Sequence, residues 1–191
     1  MKNVFLDLET SGFSPENNQI IELSLRCDGQ NFSTYLKHDK INWQKGTLEF
    51  HQENIPDILF RIERGADEEK LEKMLVLYLR SLGVNGFSEI GKLKFIAHNG
   101  KNFDFKFINK NKILSKYLKI NEENSFDTLV YLKKSKKGKE LGEGRSLSVV
   151  AEKLGINIKT ADLHSAEYDT ELLEEVYKAL ERMDEDIENF V

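Results

Sequence analysis

The chain contains little cysteine and proline, and it has no long apolar segment. Cys27 is the single cysteine among 191 residues, which excludes an internal disulfide and a cysteine-rich zinc site. No apolar run approaches the ~20 residues that a membrane-spanning helix needs. Acidic residues occur from position 7, before any stretch that resembles a signal peptide. We therefore expect an intracellular, cytoplasmic protein with no membrane partner.

The chain also has fewer basic than acidic residues. The 28 Lys and Arg residues are outnumbered by 33 Asp and Glu residues, which leaves a net charge of -5. Proteins that bind duplex DNA mainly through its phosphates are usually basic, so this balance argues against such a role. It remains compatible with a nucleic-acid enzyme whose positive charge comes from bound metal ions. The length suits one substantial domain, which we expect over residues 1–191.

Hydrophobic patterning predicts an α/β layered domain with a mixed sheet. Three strands come first, and Asp28-Gly29 predicts a hairpin turn between the second and the third. Strands and helices then alternate. The predicted strands cover 4–8, 19–26, 31–38, 93–97 and 125–128, and the predicted helices cover 67–82, 103–117, 146–154 and 165–183.

A polar segment over 133–145 interrupts this alternation. It carries six basic residues, two acidic residues and three glycines, counting both ends. We expect a linker here. Its charges could contact the backbone of a substrate, or the segment could be a solvated, mobile loop.

Asp7 and Glu9 stand two residues apart at the end of the first predicted strand. Side chains at this spacing project from the same side of a strand. Two such carboxylates repel each other, and ionised groups are costly to bury without partners. We therefore infer a bound cation here, with a divalent metal ion as the first candidate and a solvated acid pair as the alternative.

Two further acidic residues lie near predicted helix starts. Asp104 follows the fourth strand and an Asn-rich loop, and Asp169 lies in the first turns of the last helix. A helix start stabilises a carboxylate through its dipole, so capping would also explain Asp104. His164 lies five residues before Asp169. Imidazole titrates near neutrality, which makes His164 a candidate proton acceptor.

Together these segments resemble the DEDDh, or DnaQ-like, 3′→5′ exonucleases of the ribonuclease-H-like superfamily. Residues 5–12 are similar to the first motif, His98-Asn99-Gly100 with Phe103-Asp104 to the second, and His164-Ser165-Ala166 with Asp169 to the third. The resemblance covers nearly the whole chain. It implies an α/β, ribonuclease-H-like fold with a mixed five-stranded sheet and helices on both faces. Asp104 stands six residues after His98 instead of the usual five, a form that resembles the TREX-like members, which degrade DNA.

The resemblance also implies roles for these residues. Asp7, Glu9, Asp104 and Asp169 would hold two divalent ions, Mg²⁺ or Mn²⁺, with Asp7 bridging them. The ions would clamp the attacking and leaving oxygens of the terminal phosphodiester. His164 would accept a proton from the attacking water. Four carboxylates and two divalent ions sum to zero charge, so the loaded site would accept a phosphate that the metal-free site repels.

Five further residues are expected to contact the substrate. Thr10, Ser11 and Gly12 follow the first motif and would meet the terminal nucleotide through backbone groups. His51 falls where many family members have a residue near the terminal base, and an ordinary loop histidine is the alternative. For Asn99 the alternative is a role limited to setting its loop.

The sequence thus predicts a metal-dependent 3′→5′ exonuclease that acts on single-stranded nucleic-acid ends and releases nucleoside 5′-monophosphates, with DNA favoured. An exoribonuclease of the RNase T or oligoribonuclease kind uses the same acids and histidine and stays an alternative. A non-catalytic module that binds nucleic acid or a polymerase is a third hypothesis, which the complete set of acids disfavours. A DNA polymerase is an open candidate partner, although the chain shows no obvious extra segment for tethering.

Overall fold

A computed structural model describes residues 1–159, 164–184 and 187 of the chain. Five strands form one mixed sheet: β1 (Lys2–Thr10), β2 (Ile20–Cys27), β3 (Gln30–Tyr35), β4 (Leu93–Ala97) and β5 (Ser125–Asp127). Their order in space is β3-β2-β1-β4-β5. The strands β1 to β3 pair antiparallel, whereas β4 is parallel to both β1 and β5. The expected mixed five-stranded sheet is confirmed.

Helices cover both faces of this sheet, also as expected. The long ones occur where the sequence predicts them, with Asp67 capping α3 through the backbone N–H of Lys70. The helices are α1 (Thr47–Asn54), α2 (Ile58–Glu63), α3 (Glu68–Ser81), α4 (Asp104–Lys110), α5 (Lys112–Leu118), α6 (Thr128–Lys134), α7 (Lys136–Glu140), α8 (Leu147–Lys153) and α9 (Ala166–Met183), and a 3₁₀ helix covers Phe87–Lys92.

Alternation along β1 divides its side chains between two hydrophobic clusters. Val4, Leu6 and Leu8 pack on one face in a cluster that includes α3, α4 and α5. Phe5 packs on the opposite face with α6, α8 and α9. Because side chains alternate along a strand, Asp7 and Glu9 share the face of Phe5 and lie on the side of α9.

Helix α9 is fastened across β1 and β2 by apolar and polar contacts. Its inward side chains join the cluster of Phe5. The hydroxyl groups of Ser24 and Thr170 are 2.9 Å apart, and Arg26 Nε donates to Glu174 at 2.6 Å. These contacts place the first turns of α9 beside the acidic end of β1.

The helix predicted over 103–117 is wrong in one respect, because it is interrupted. The single helix expected over 103–117 is two helices, α4 and α5, with a break at Asn111. The backbone of Asn111 is extended, and its side chain accepts hydrogen bonds from the N–H groups of Ile113 and Leu114. Asparagine competes with helical hydrogen bonding in this way, so it ends one helix and caps the next.

The linker expected over 133–145 is also wrong in part. Helix α6 runs to Lys134 and α7 follows after a single residue. The Ser135 hydroxyl accepts from Gly138 N–H and starts α7. Gly138 lies against Leu132 so closely that a Cβ there would be 2.4 Å from the Leu132 Cα. This close approach explains why the segment folds back despite its polar composition.

The sequence patterning did not identify α1 and α2. Ile55, Ile58 and Ile62 recur at helical spacing and pack together against Ile21 of β2. That recurrence is the signal that would have found α2.

A membrane-spanning helix would need a long apolar stretch. None of the helices within residues 1–159, 164–184 and 187 has the length and hydrophobicity for this.

Candidate active site

Three carboxylates converge at the end of β1. Asp7 and Glu9 come from the strand and Asp169 comes from the first turns of α9. One oxygen of each lies within 4.8 Å of the others, close enough to ligate a shared metal ion. The Ser165 hydroxyl caps α9 by accepting from Tyr168 N–H, which fixes the turn that carries Asp169.

Asp104 lies near this cluster, at the start of the helix that follows β4, but it is not among the three acids whose oxygens converge within 4.8 Å. It is the first residue of α4 and is only 2% exposed. The backbone N–H of Leu8, the residue between Asp7 and Glu9, lies near its carboxylate and opposes part of the rise in its pKa. The fourth acid of the motif set therefore lies close to the strand that supplies the first two.

The turn before Asp104 accommodates the extra residue in this motif. Asn99 has a φ of 68°, in the left-handed region. The buried Asp127 carboxylate accepts from the N–H groups of Asn99 at 3.0 Å and Lys101 at 2.9 Å. Gly100 leaves no room for a side chain, since a Cβ would be 2.6 Å from that of Ala97. Asp127 thus holds the loop that delivers Asp104.

Burial and mutual repulsion make ionisation of these acids unfavourable. The pKa values of Asp7 and Glu9 lie well above their usual range, first because both are buried and then because the neighbouring acids repel their charge. Burial raises the pKa of Asp104 to about 7, and it raises the pKa of Asp169 to about 6, although the His164 N–H opposes the latter shift. At neutral pH the cluster therefore holds unfavourable negative charge.

The donor set fits a divalent cation. It consists of carboxylate oxygens, which suit hard ions such as Mg²⁺ and Mn²⁺. Among the residues whose positions are described, no lysine or arginine forms a salt bridge with any of these four acids. A bound cation would supply the compensating charge that the protein itself does not provide here.

Sequence reasoning missed a fifth acid, Glu22. It lies on β2 directly opposite Glu9 and is 2% exposed. Its carboxylate accepts from Ala166 N–H and from the Ser33 hydroxyl, both at 3.2 Å. The only signal for it in the sequence is a charged residue inside the apolar run Ile20 to Leu25.

His164 stands beside the carboxylates without joining their cluster. Its backbone has a φ of 69°, and its N–H lies near enough to the Asp169 carboxylate to lower the pKa of that acid. The ring is exposed and contacts the ring of Phe50 edge-on, with centroids 5.0 Å apart. This arrangement leaves the imidazole against Phe50 and open to solvent, while its backbone lies beside Asp169.

His98 is engaged away from the acids, whereas His51 lies between Thr10 and Glu9. Nε2 of His98 donates to the Arg145 carbonyl at 2.7 Å, and its Nδ1 is 2.8 Å from the Thr128 hydroxyl. His51 lies in α1 rather than in a loop and is 3% exposed. Its Nε2 donates to the Thr10 carbonyl at 2.9 Å, and its Nδ1 lies 3.7 Å from a Glu9 oxygen.

The remaining candidate substrate residues bond mainly to their own surroundings. Thr10 donates its hydroxyl to the Gly12 carbonyl at 2.7 Å, and the Ser11 hydroxyl donates to the Asn42 carbonyl at 2.9 Å. The Asn99 side chain accepts from the Asn102 amide. A role for Thr10, Ser11 and Gly12 through backbone groups stays a prediction.

Comparisons with known proteins agree with this geometry. An exonuclease family model, RNase T, matches residues 84–177, which contain the second and third motif acids. The chain is 28% identical over 203 residues to a DNA polymerase III subunit epsilon of Buchnera aphidicola subsp. Baizongia pistaciae, covering 99% of this chain and 74% of that protein. It is 24% identical to a PolC-type DNA polymerase III of Ureaplasma parvum serovar 3, covering 93% of this chain and 11% of that protein.

Solved structures show the same fold. E. coli Exonuclease I in complex with a 5cy-dT13 oligonucleotide superimposes with a TM-score of 0.65 at 13% identity, and the zinc-bound form of its complex with single-stranded DNA gives 0.66 at 14%. The matches cover 97% and 98% of this chain but only 42% of each Exonuclease I chain. The motif acids, the family match over residues 84–177 and the fold together support a DEDDh, or DnaQ-like, exonuclease of the ribonuclease-H-like superfamily.

Proposed function

We propose that the protein is a metal-dependent 3′→5′ exonuclease that removes nucleoside 5′-monophosphates from single-stranded ends. The match to the exonuclease family supports a nuclease function. The observation that carries the finer proposal is the convergence of the Asp7, Glu9 and Asp169 carboxylates within 4.8 Å. We assign the catalytic domain to residues 1–191.

The four acids would hold two divalent ions. Such ions supply charge stabilisation at the attacking and leaving oxygens of a phosphodiester. The protein's part is to place the acids: β1 presents Asp7 and Glu9, the start of α4 presents Asp104, and the start of α9 presents Asp169. Because the fold sets these positions, little reorganisation is needed when the ions bind.

His164 is proposed to accept the proton of the attacking water. Its ring is exposed and does not belong to the carboxylate cluster, so it can stay free of the ions. The ring nitrogens of His98 are both engaged by hydrogen bonds, and His51 is buried, with one nitrogen donating to the Thr10 carbonyl and the other 3.7 Å from Glu9. His164 is therefore the histidine best placed for general-base work.

DNA is the proposed substrate. The similar proteins named above are a DNA polymerase III subunit and a PolC-type DNA polymerase III, and the similar structures hold single-stranded DNA. These names also support a DNA polymerase as a candidate partner, which size-exclusion chromatography with the host's polymerase would test. Exoribonuclease activity is the outcome that would redirect the proposal to RNA.

The decisive test uses matched single-stranded DNA and RNA oligonucleotides labelled at the 5′ end, incubated with Mg²⁺, Mn²⁺ or EDTA. We expect a ladder of shortened labelled DNA in either ion and none in EDTA. Asp7→Asn should abolish the ladder, whereas Glu175→Gln, a change at an exposed acid of the same helix as Asp169, should leave it intact. Release of labelled mononucleotide as the first product would show 5′→3′ polarity, and a lack of turnover would favour a non-catalytic binding module.

A further inference from the structure

Helix α1 contacts both halves of the candidate site through two adjacent residues. His51 points to β1, where its Nε2 donates to the Thr10 carbonyl at 2.9 Å. Phe50 points to the segment before α9, where its ring meets that of His164 at 5.0 Å between centroids and an interplanar angle of 72°. One short helix therefore links the strand that carries Asp7 and Glu9 to the proposed general base.

The start of α1 is tied firmly to the end of β1. The Ser11 carbonyl accepts from Gln44 N–H and from the Thr47 hydroxyl, both at 2.8 Å. The Gln44 side chain in turn accepts from Phe13 N–H at 3.0 Å. His51, at 3% exposed, adds a buried anchor at the other end of the helix. Phe50 is thus presented from a fixed backbone rather than from a free loop.

Among the residues that the structure describes, few other contacts restrain the imidazole of His164. The backbone N–H of His164 lies beside the Asp169 carboxylate. The side chain is exposed, and two side-chain torsions still decide where its nitrogens point. The Phe50 ring, itself 43% exposed, blocks part of this range. The Phe50 ring restricts the imidazole without forming hydrogen bonds to its nitrogens. The nitrogens of His164 therefore stay available to accept a proton.

We propose that Phe50 is a positioning residue for His164, held in place by the anchors of α1 on β1. This inference rests on the proposed function, in which His164 accepts the proton of the attacking water. Positioning contributes to catalysis because a reacting group displaced by about 1 Å can cost up to ~10²-fold in rate. The competing role for an exposed phenylalanine beside a nuclease site is a stacking surface for a base of the substrate.

The contact itself is tested without metal or substrate. In the NMR spectrum of the metal-free protein, Phe50→Leu should shift the His164 ring C–H signals, because an aromatic ring at this distance changes the local magnetic field. Phe60→Leu is the matched control: Phe60 is 52% exposed on α2, where it stacks with Arg64. His164 signals that do not move in Phe50→Leu would overturn the inference, whether or not the protein is a nuclease.

A double-mutant cycle tests the catalytic consequence. Phe50→Leu should lower kcat about 10-fold to 10²-fold. KM for single-stranded DNA and the Mn²⁺ concentration for half-saturation should not change. Phe50→Tyr, which keeps an aromatic ring at this position, should retain most of the parent's kcat. In a His164→Ala background the same change should have no further effect. A loss that persists in that background, or a rise in KM, would overturn the positioning role in favour of base stacking. Loss of the proposed function is distinguishable, because the parent protein would then show no turnover while the NMR contact remained.

Discussion

The Glu22 carboxylate accepts a hydrogen bond from the backbone N–H of Ala166 at 3.2 Å. Ala166 is the first residue of α9 and is fully buried, so this bond fastens the helix that carries Asp169 to β2. Glu22 also faces Glu9 across the β1–β2 pair. The site thus contains two kinds of buried acid. Glu22 accepts hydrogen bonds from the protein itself, whereas the charge of acids such as Asp7 would be compensated by a bound cation.

These two kinds of acid should respond differently to truncation. We expect Asp7→Ala to abolish nuclease activity yet leave the metal-free protein as stable as the parent or more so, because it relieves repulsion among the acids. Glu22→Ala leaves the N–H of Ala166 and the hydroxyl of Ser33 without their acceptor, so it should cost ~1–3 kcal/mol more than Asp7→Ala.

Thermal unfolding of both variants in EDTA measures this difference, and repetition in Mn²⁺ serves as the control. Binding at 100 times Kd stabilises a fold by about 2.7 kcal/mol, and Asp7→Ala should lose that gain. Strong destabilisation of the metal-free Asp7→Ala protein would show that Asp7 has a structural role.

The metal-free protein should lose stability as pH rises. The pKa of Asp104 is raised from 3.8 to about 7 and that of Asp169 to about 6, so both acids prefer to be neutral in the fold. The stability that this provides is complete below about pH 4 and is lost as the pH rises through 6 to 7. In EDTA, the melting temperature at pH 5 should therefore exceed that at pH 8.

Two comparisons isolate this effect from other titrating groups. The fall with pH should be smaller in Asp104→Asn, which removes the acid whose pKa is raised to about 7. It should also shrink in saturating Mn²⁺, which binds the ionised carboxylates. A difference of 1 kcal/mol corresponds to ~2–4 °C for a chain of this size, so calorimetry resolves it. A melting temperature that rises with pH in EDTA would contradict the prediction.

His164→Ala should lower kcat by ~10²–10⁴-fold, the usual contribution of a general base. KM and the Mn²⁺ half-saturation should change little, because the ring stands apart from the carboxylate cluster. The residual activity should increase with pH as hydroxide replaces the lost base. His38→Ala is the matched control, since the ring of His38 bonds to the Ile20 carbonyl instead of lying beside the acids. Full kcat in His164→Ala would exclude it as the base.

The basic segment around α7 should contribute to binding through charge. Replacement of four of its five lysines with alanine should raise KM and flatten the salt dependence, by ~0.7 in the logarithmic slope for each substrate phosphate that the variant no longer neutralises. Replacement of Lys70 and Lys73 on α3, compared with replacement of Lys133 and Lys134 alone, controls for net charge. An unchanged slope would leave these lysines as a solvated surface. The four positions are Lys133, Lys134, Lys136 and Lys137.

Local patterns were sufficient for the sheet and the long helices. The apolar run that contains Val4 and Leu6 and the Asp28-Gly29 turn identify strands and a hairpin, because burial and backbone conformation act within a few residues. The break at Asn111 escaped prediction because a side-chain cap and a helical hydrogen bond compete there at similar energy. The fold of α7 escaped because it depends on the close approach of Gly138 to Leu132.

The sequence by itself determined which residues can carry the chemistry. The spacing of Asp7 and Glu9 on a strand puts them on one face, and the motif order predicts Asp104, His164 and Asp169 as their companions. Only the tertiary structure decided what surrounds them. It placed Glu22 opposite Glu9, buried Asp104 near Asp7 and set Phe50 against His164. Those contacts join residues 13 to 114 positions apart, and no local pattern encodes them, because they follow from how the helices pack on the sheet.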